Sequence, residues 1–223
     1  MRHYSIGVFF EVYNKDQKKW EKQADWLSTL KGVEHVEVLL EDTTLNNSEM
    51  LFLKKLLKNY TIGVHAPFIG LSVMSYHKEI SKASIKILNR AVNIGKHLNA
   101  EYITVHLETY PMNMTLDEAK KRASWAIKII SEKSPFPLLI ENLNVKSSIQ
   151  TAFPSTNREI TSLTKSLSKN TGIAIDFGHT MRIGENPNKL FSAINNYVGN
   201  IHLHDIINGR DHKALGTGEF DIP

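Results

Sequence analysis

Residues Glu101 to Leu107 read EYITVHL, a β-branched and aromatic run that closes on a histidine and a leucine. Such a run suits a short strand buried on both faces. Lys78 to Leu98 precedes it, with Ile80, Ile87, Leu88, Ala91 and Ile94 recurring at helical spacing. Ahead of that helix stands Thr61 to His65, TIGVH, another apolar run ending in histidine. Strand, helix and strand in one stretch predict a crossover unit with parallel strands.

The unit recurs in both directions. Toward the N-terminus, SIGVFF within Tyr4 to Phe10 is a strand, and Asn14 to Leu30 is a helix with Trp20, Ala24, Leu27 and Leu30 on one face, stopped by Gly32. HVEVLL (His35 to Leu40) is a second strand, and Ser48-Glu49 opens a helix carrying Leu53, Leu56 and Leu57. Toward the C-terminus, Thr115 and Glu118 predict a capping box for a helix with Ala119, Ala123, Ala126, Ile127 and Ile130 inward. LLIE (Leu138 to Glu141) follows, then a loop from Asn142 to Asn157 and a helix marked by Ile160, Leu163 and Leu167. GIAID (Gly172 to Asp176) is the sixth strand, and Pro187 begins a helix holding Leu190, Phe191, Ile194 and Tyr197. The seventh strand starts Ile201-His202-Leu203-His204, where period two puts both imidazoles on one side.

Seven alternations predict a (β/α)8-type TIM barrel whose eighth β/α unit is absent or incomplete. An eighth unit would need roughly thirty more residues. A doubly wound open sheet is the lesser alternative, because neither a Gly-rich dinucleotide fingerprint nor a P-loop is present. The 223 residues, 41% hydrophobic, predict one domain over 1–223. The absence of cysteine removes disulfides, thiolate catalysis and sulfur-ligated zinc. The N-terminal apolar run is too short for a signal segment or a membrane span, so a soluble, cytoplasmic protein without a membrane partner is expected. A net charge of +4 permits nucleic-acid binding without requiring it.

His65, His106, Glu141, Asp176 and His202 fall on or at the ends of five successive strands, 41, 35, 35 and 26 residues apart. Strand C-termini of a parallel barrel share one face, so these side chains converge. His179, three residues past Asp176, and His212, beyond the seventh strand, would stand on the rim. His3, His35, His77 and His97 sit at strand starts, within a helix or at helix ends and are read as structural, as are Trp20, Trp26 and Trp125. A sulfur-free set rich in imidazole suits Mn²⁺, Zn²⁺, Co²⁺, Fe²⁺ or Mg²⁺. Such an ion polarises a carbonyl or hydroxyl or activates water. Glu141 is the candidate catalytic carboxylate, able to ligate and to reach a substrate proton. The turn Gly216-Thr217-Gly218 offers backbone N–H groups to an anion.

Val64-His65-Ala66-Pro67-Phe68, Glu141-Asn142, Asp176-Phe177-Gly178-His179, His202-Leu203-His204-Asp205, His212 and Leu215-Gly216-Thr217-Gly218 together resemble the xylose isomerase-like barrel superfamily of sugar isomerases, epimerases and endonuclease IV. In the epimerase branch the resemblance implies one divalent ion on Glu141, Asp176 and His202, plus a glutamate on an eighth strand that has no counterpart in this sequence. The endonuclease branch implies up to three ions, on His65, His106, Glu141, Asp176, His179, His202 and His212. There, Arg210 stands where an aspartate is expected, and Asp211 would lie on the wrong side of the chain. His204 matches no ligand of either branch and is expected to support the site or touch substrate.

Charge separates the two branches, because gripping a duplex needs cations around the mouth of the site. Most lysines lie on helices, whereas the loops at the strand ends carry chiefly Lys146, Arg158, Arg182, Arg210 and Lys213. Those loops also carry Phe10, Tyr13, Phe68, Tyr110, Met112, Met114, Phe153 and Phe177, which suit an apolar wall. The expectation is therefore a one-metal isomerase or epimerase of a small sugar or sugar phosphate, with Arg182, Arg210 or Lys213 as phosphate contacts. A phosphodiesterase acting at abasic DNA sites is the alternative, with DNA as partner only there, and a metal- or sugar-binding barrel without turnover the third. No oligomeric state is specified.

Overall fold

The computed structural model describes residues 5–144 and 150–218; Lys146, His3 and Asp221 to Pro223 lie outside them. In chain order the strands are β1 (Ile6–Val12), β2 (Val33–Leu40), β3 (Thr61–His65), β4 (Tyr102–Val105), β5 (Thr109–Pro111), β6 (Leu138–Glu141), β7 (Gln150–Ala152), β8 (Thr171–Asp176), β9 (Val198–His202), β10 (Asp205–Ile207) and β11 (Arg210–Lys213). The helices are α1 (Gln17–Thr29), α2 (Asn47–Leu56), α3 (Lys78–Leu98), α4 (Leu116–Ser131), α5 (Asn157–Thr164), α6 (Phe177–Arg182) and α7 (Pro187–Ile194). Seven strands make one parallel sheet in the order β1-β2-β3-β4-β6-β8-β9. Glu37 on β2 touches His202 on β9 although four strands separate them in the sheet, so the sheet is curled into a barrel wall. Among the described residues β9 and β1 do not pair, and the wall is open at that seam.

The outward faces pack against the helices through an apolar layer including Leu53, Leu57, Leu88, Ile103 and Ile130, all essentially inaccessible. Each such side chain contributes roughly 1.5–3 kcal/mol by leaving water. Helix starts follow the capping residues. Asp16 accepts the Lys19 N–H, which starts α1 three residues later than its apolar periodicity suggests. Asn46 and Glu49 cap α2 reciprocally, and Thr156 and Glu159 do the same for α5. At α4 only half of the expected box forms. Thr115 accepts the Glu118 N–H, but the Glu118 carboxylate is held by Arg122 at 2.7 Å.

Three small elements do not follow the strand-helix alternation. β5 and β7 pair antiparallel, β10 and β11 form a hairpin, and α6 begins immediately at the end of β8. The hairpin turns on Asn208-Gly209, both at positive φ, with Ile207 opposite Arg210. That is the Asn-Gly signature of a two-residue primed turn. Of the three tryptophans Trp20 packs fully, while Trp26 and Trp125 are exposed. Tyr197, expected on the α7 face, lies in the short 3-10 turn that follows and is also exposed.

Candidate metal centre

Inside the wall, register decides which side chains meet. Phe9 pairs with Glu37, Glu37 with Gly63, and His65 with Thr104 across adjacent strands, so these residues share the inner face. Phe10, expected beside the site, instead points to the helices and is buried. Its neighbour Phe9 faces the interior, with its ring 5.1 Å from that of His202 and 6.1 Å from that of His65. Phe68 does reach the site, 4.7 Å from His106.

Glu141, 2% exposed, is the hub. Its Oε2 lies 3.0 Å from His65 Nε2 and 3.2 Å from His106 Nε2, and its Oε1 lies 3.2 Å from His202 Nδ1. Burial alone would push this carboxyl up, but the His202 and His106 imidazoles outweigh it and hold the group well below the usual carboxylate range. Burial would likewise lower His106, yet Glu141, with Glu108, raises it to about 9. His202 is also held well above its ordinary value, against its own burial, by Glu141 and Glu37.

Asp176 does two jobs at the end of β8. Its Oδ1 accepts the His179 N–H at 2.6 Å and so caps α6, while the carboxylate itself stays in the site. That cap swings His179 back over the strand ends. Asn142 ties β6 to this corner by donating to the Asp176 carbonyl and accepting the Asp176 N–H.

The protons on three imidazoles follow from their backbone partners. A carbonyl can only accept, so His65 Nδ1, 3.0 Å from the Ala66 oxygen, carries a proton, and its Nε2 is the nitrogen that faces Glu141. His179 Nδ1 likewise donates to the Asn142 carbonyl at 2.9 Å, freeing Nε2. His204 is the opposite case. Its Nδ1 accepts the His212 N–H at 2.9 Å, so its Nε2 carries the proton and donates to Asp176 at 2.9 Å. In this arrangement His204 steadies a carboxylate and has no lone pair directed at the centre.

The donor set fits a cation. With its Nδ1 proton committed to the Ala66 carbonyl, His65 can turn Nε2, and Glu141 the oxygen 3.0 Å from it, toward one shared cation. Three groups have ligand atoms all within 4.8 Å of one another: Glu141, Asp176 and His202; His65, His106 and Glu141; and Asp176, His179, His204 and His212. All seven residues expected as metal ligands are thus brought together, with His204 joining the last group.

The rim differs from expectation. Asp211 is not turned away: positive φ at His212 turns the chain, and Asp211 Oδ1 lies 3.4 Å from His212 Nδ1 while Oδ2 is 4.0 Å from His179 Nε2. Asp211 Oδ2 accepts from Arg182 Nη1 at 2.7 Å and from Asn144 Nδ2 at 2.6 Å. Burial works against these partners, but they keep the Asp211 carboxyl well below its usual range. Arg182 is therefore committed to a protein carboxylate, while Arg210 is exposed and Lys213 half-buried on β11. The Gly216–Gly218 turn also serves the protein itself, since the Gly218 N–H donates to Asp205 Oδ2 at 2.8 Å.

A family profile described as xylose isomerase-like TIM barrel matches residues 10–223. The chain belongs to that family. No curated protein matches it in sequence. Among solved structures, a D-tagatose 3-epimerase-like protein superposes with a TM-score of 0.83 at 23% identity, over 98% of this chain and 83% of that one. A D-allulose 3-epimerase from Methylomonas sp. gives 0.79 at 17%, over 97% and 77%. A 3-keto-D-glucoside 4-epimerase from E. coli gives 0.75 at 15%, over 98% and 84%. At these identities the likeness is one of fold.

Within this xylose isomerase-like barrel, one acid near the centre, Glu37, was missed in the sequence, and another, Asp211, was placed on the wrong side of the chain. Asp211 needed the hairpin, for which Asn208-Gly209 was the available signal. Glu37 lies in HVEVLL at the same period-two phase as His35 and Leu39, but nothing local shows that β9 closes over it. Among the described residues no helix is long and apolar enough to cross a membrane.

Proposed function

We propose that this chain is a divalent-metal-dependent isomerase or epimerase of a small sugar or sugar phosphate. The observation that carries the reading is the convergence of Glu141, Asp176 and His202 from three adjacent parallel strands, with donor atoms within 4.8 Å. The similar structures, a D-tagatose 3-epimerase-like protein, a D-allulose 3-epimerase and a 3-keto-D-glucoside 4-epimerase, support the same substrate class.

Glu141, Asp176 and His202 would hold the ion, with His65 and His106 completing the Glu141 side. A bound divalent ion would polarise the sugar carbonyl or hydroxyl and acidify the adjacent carbon. Glu141 accepts the proton from that carbon. Its two oxygens differ, because Oε2 is flanked by His65 and His106 while, among the described residues, Oε1 meets only His202 within 3.5 Å. Oε1 is therefore the less crowded place for the proton. His204 orients Asp176 by donating to it. Phe9, 43% exposed, and Phe68 supply apolar edges for the C–H face of a sugar.

The test is deuterium wash-in from D₂O into a panel of ketopentoses, ketohexoses and their phosphates, read by mass spectrometry with metal-loaded protein. Exchange at the carbon beside the carbonyl, lost in Glu141→Gln, is the expected result; no exchange across the panel would overturn the reading. One observation favours a second reading, a phosphodiesterase at abasic DNA sites. The three overlapping donor groups, with Asp211 beside His179 and His212, have room for more than one ion. Incision of an abasic-site duplex, lost in Glu141→Ala, would put that activity in place of the first.

A further inference from the structure

Barrel interiors are usually filled by branched apolar side chains. This one contains a polar column beneath the metal centre. Glu37, 4% exposed, sits one layer below His202 and receives three donors on Oε2: His202 Nε2 at 2.8 Å, Asn200 Nδ2 at 2.8 Å and the Tyr102 hydroxyl at 3.3 Å. Since Tyr102 gives its only proton to Glu37, its oxygen accepts from His35 Nε2 at 2.8 Å, and His35 Nδ1 meets the Thr61 hydroxyl at 2.8 Å. The column thus runs from Thr61 at the foot of β3 up to Glu37.

Room for it is built into the backbone. A Cβ at Gly63 would lie 2.4 Å from the Tyr102 ring, and one at Gly7 would lie 2.9 Å from His35 Cδ2. Two strands have given up side chains so that Tyr102 and His35 can stand inside the wall. A buried carboxylate is costly unless its charge and hydrogen bonds are met, and an apolar residue would fill the same space without that cost. What an apolar residue cannot do is choose which nitrogen of His202 carries the proton.

We propose that Glu37 is a positioning residue for the metal centre: by accepting His202 Nε2–H it fixes the tautomer and ring angle that direct His202 Nδ1 at Glu141 and Asp176, with Tyr102 and His35 holding Glu37 in turn. The inference rests on the reading of His202 as a ligand. Carboxylate, histidine and metal in series raise the basicity of the ligating nitrogen, and loss of the outer carboxylate in such series lowers metal affinity about 10- to 100-fold.

The experiment uses the full chain. Zn²⁺ affinity is measured by competition with a chromophoric chelator, and the visible spectrum of the Co²⁺-loaded protein is recorded, for wild type, Glu37→Gln, Tyr102→Phe and His202→Ala, with folding checked by circular dichroism. Glu37→Gln is expected to weaken Zn²⁺ binding about 10- to 100-fold and to shift the Co²⁺ bands, and Tyr102→Phe to do both to a smaller extent. Unchanged affinity and spectrum in Glu37→Gln, alongside loss of binding in His202→Ala, would overturn the positioning role and leave the ligand assignment standing. Wild-type affinity in His202→Ala would remove both. If Glu37→Gln does not fold, nitrogen-detected imidazole NMR of the Zn²⁺-loaded wild type decides. A His202 proton on Nε2 supports the proposal, and a proton on Nδ1 refutes it.

Discussion

The candidate centre has two arms built in different ways. The Glu141 arm takes His65 and His202 from strands of the parallel sheet and His106 from the residue that follows β4, and Glu141, His65 and His202 are buried. The Asp176 arm takes His179 from a short helix, His204 from the link between β9 and β10, and His212 from β11, where its side chain is 64% exposed. In the first arm, ladder hydrogen bonds hold the backbone at each donor or, for His106, at the residue before it, and the donors are largely desolvated, so charge interacts strongly and geometry relaxes little. In the second, positions depend on one N-cap, one two-residue turn and one positive φ. Energy is concentrated in the strand-borne arm, while adjustment is available in the loop-borne arm. Substitutions across the two arms should therefore differ in size, and those differences can break the comparison.

The largest effect is expected at the hub. Glu141→Ala leaves three imidazoles facing one another without their shared carboxylate, and breaking a buried charge pair from one side costs about 3–5 kcal/mol. Thermal denaturation of the metal-free protein should show a loss of that order, and equilibrium dialysis should find no tightly held ion. A variant with wild-type metal content would mean that the Asp176 arm alone holds the ion, reversing the comparison.

Next in size is a pH effect that ties the ion to the strand-borne arm through His106. His106 is raised to about 9 in the folded chain, above its ordinary 6.5, so the stability it provides is complete below 6.5 and is lost as pH rises toward 9. For one group this amounts to about 3 kcal/mol. A metal ligand must be unprotonated, so the metal-loaded protein does not suffer this loss. The rise in Tm on adding Mn²⁺ should therefore grow between pH 6.5 and 8.5, by several degrees at the roughly 2–4 °C per kcal/mol expected for a chain of this size. A metal-induced shift that is flat with pH would place the ion away from His106.

A smaller effect tests how the arms join. A Cβ on Gly178 would lie 2.0 Å from the His204 ring, so Gly178→Ala must push His204 off α6 and away from Asp176. Because His204 supports a ligand and does not supply one, metal affinity should fall only about tenfold, at the low end for lost outer-sphere partners. Loss of metal as complete as in Glu141→Ala would make His204 a ligand after all.

What could be read in advance follows the same division. The strand-borne donors were legible because a parallel barrel enforces a unit length, and the spacing of His65, His106, Glu141, Asp176 and His202 reports it directly. Lys78–Leu98 and Leu138–Glu141 keep the bounds that their sequence pattern predicts. Facing was less legible. In SIGVFF both faces are apolar, so period two cannot say whether Phe9 or Phe10 looks inward; the helices cover one side and the metal centre the other. Glu37 was hidden for a different reason, since its partner lies across the barrel and no local pattern encodes closure. The loop-borne arm turned on backbone signs. His202 and His204 look equivalent by alternation, but β9 ends between them, and it is the His212 N–H, brought round by the Asn208-Gly209 turn, that makes His204 a donor.

The smallest expected effect lies at the far end of that arm. His212 stacks on His204, ring centroids 4.2 Å apart and 14° from parallel, yet most of its side chain faces water. Burial holds its pKa down, and His204 and His179 add to that, so the imidazole is more readily neutral and ligand-competent than an isolated one. Its key contribution to the site comes from the backbone, through the N–H given to His204 Nδ1. His212→Ala keeps that N–H and removes an exposed ring, a change worth less than about 1 kcal/mol if the ring is not a ligand, hence less than tenfold in metal affinity. His212→Pro would remove the N–H and oppose the positive φ together. Affinity measured in both variants separates backbone from side chain. A near-silent alanine with a damaging proline leaves the ion on the strand-borne arm, whereas an alanine as severe as Asp176→Ala would show that a second ion sits on the loops.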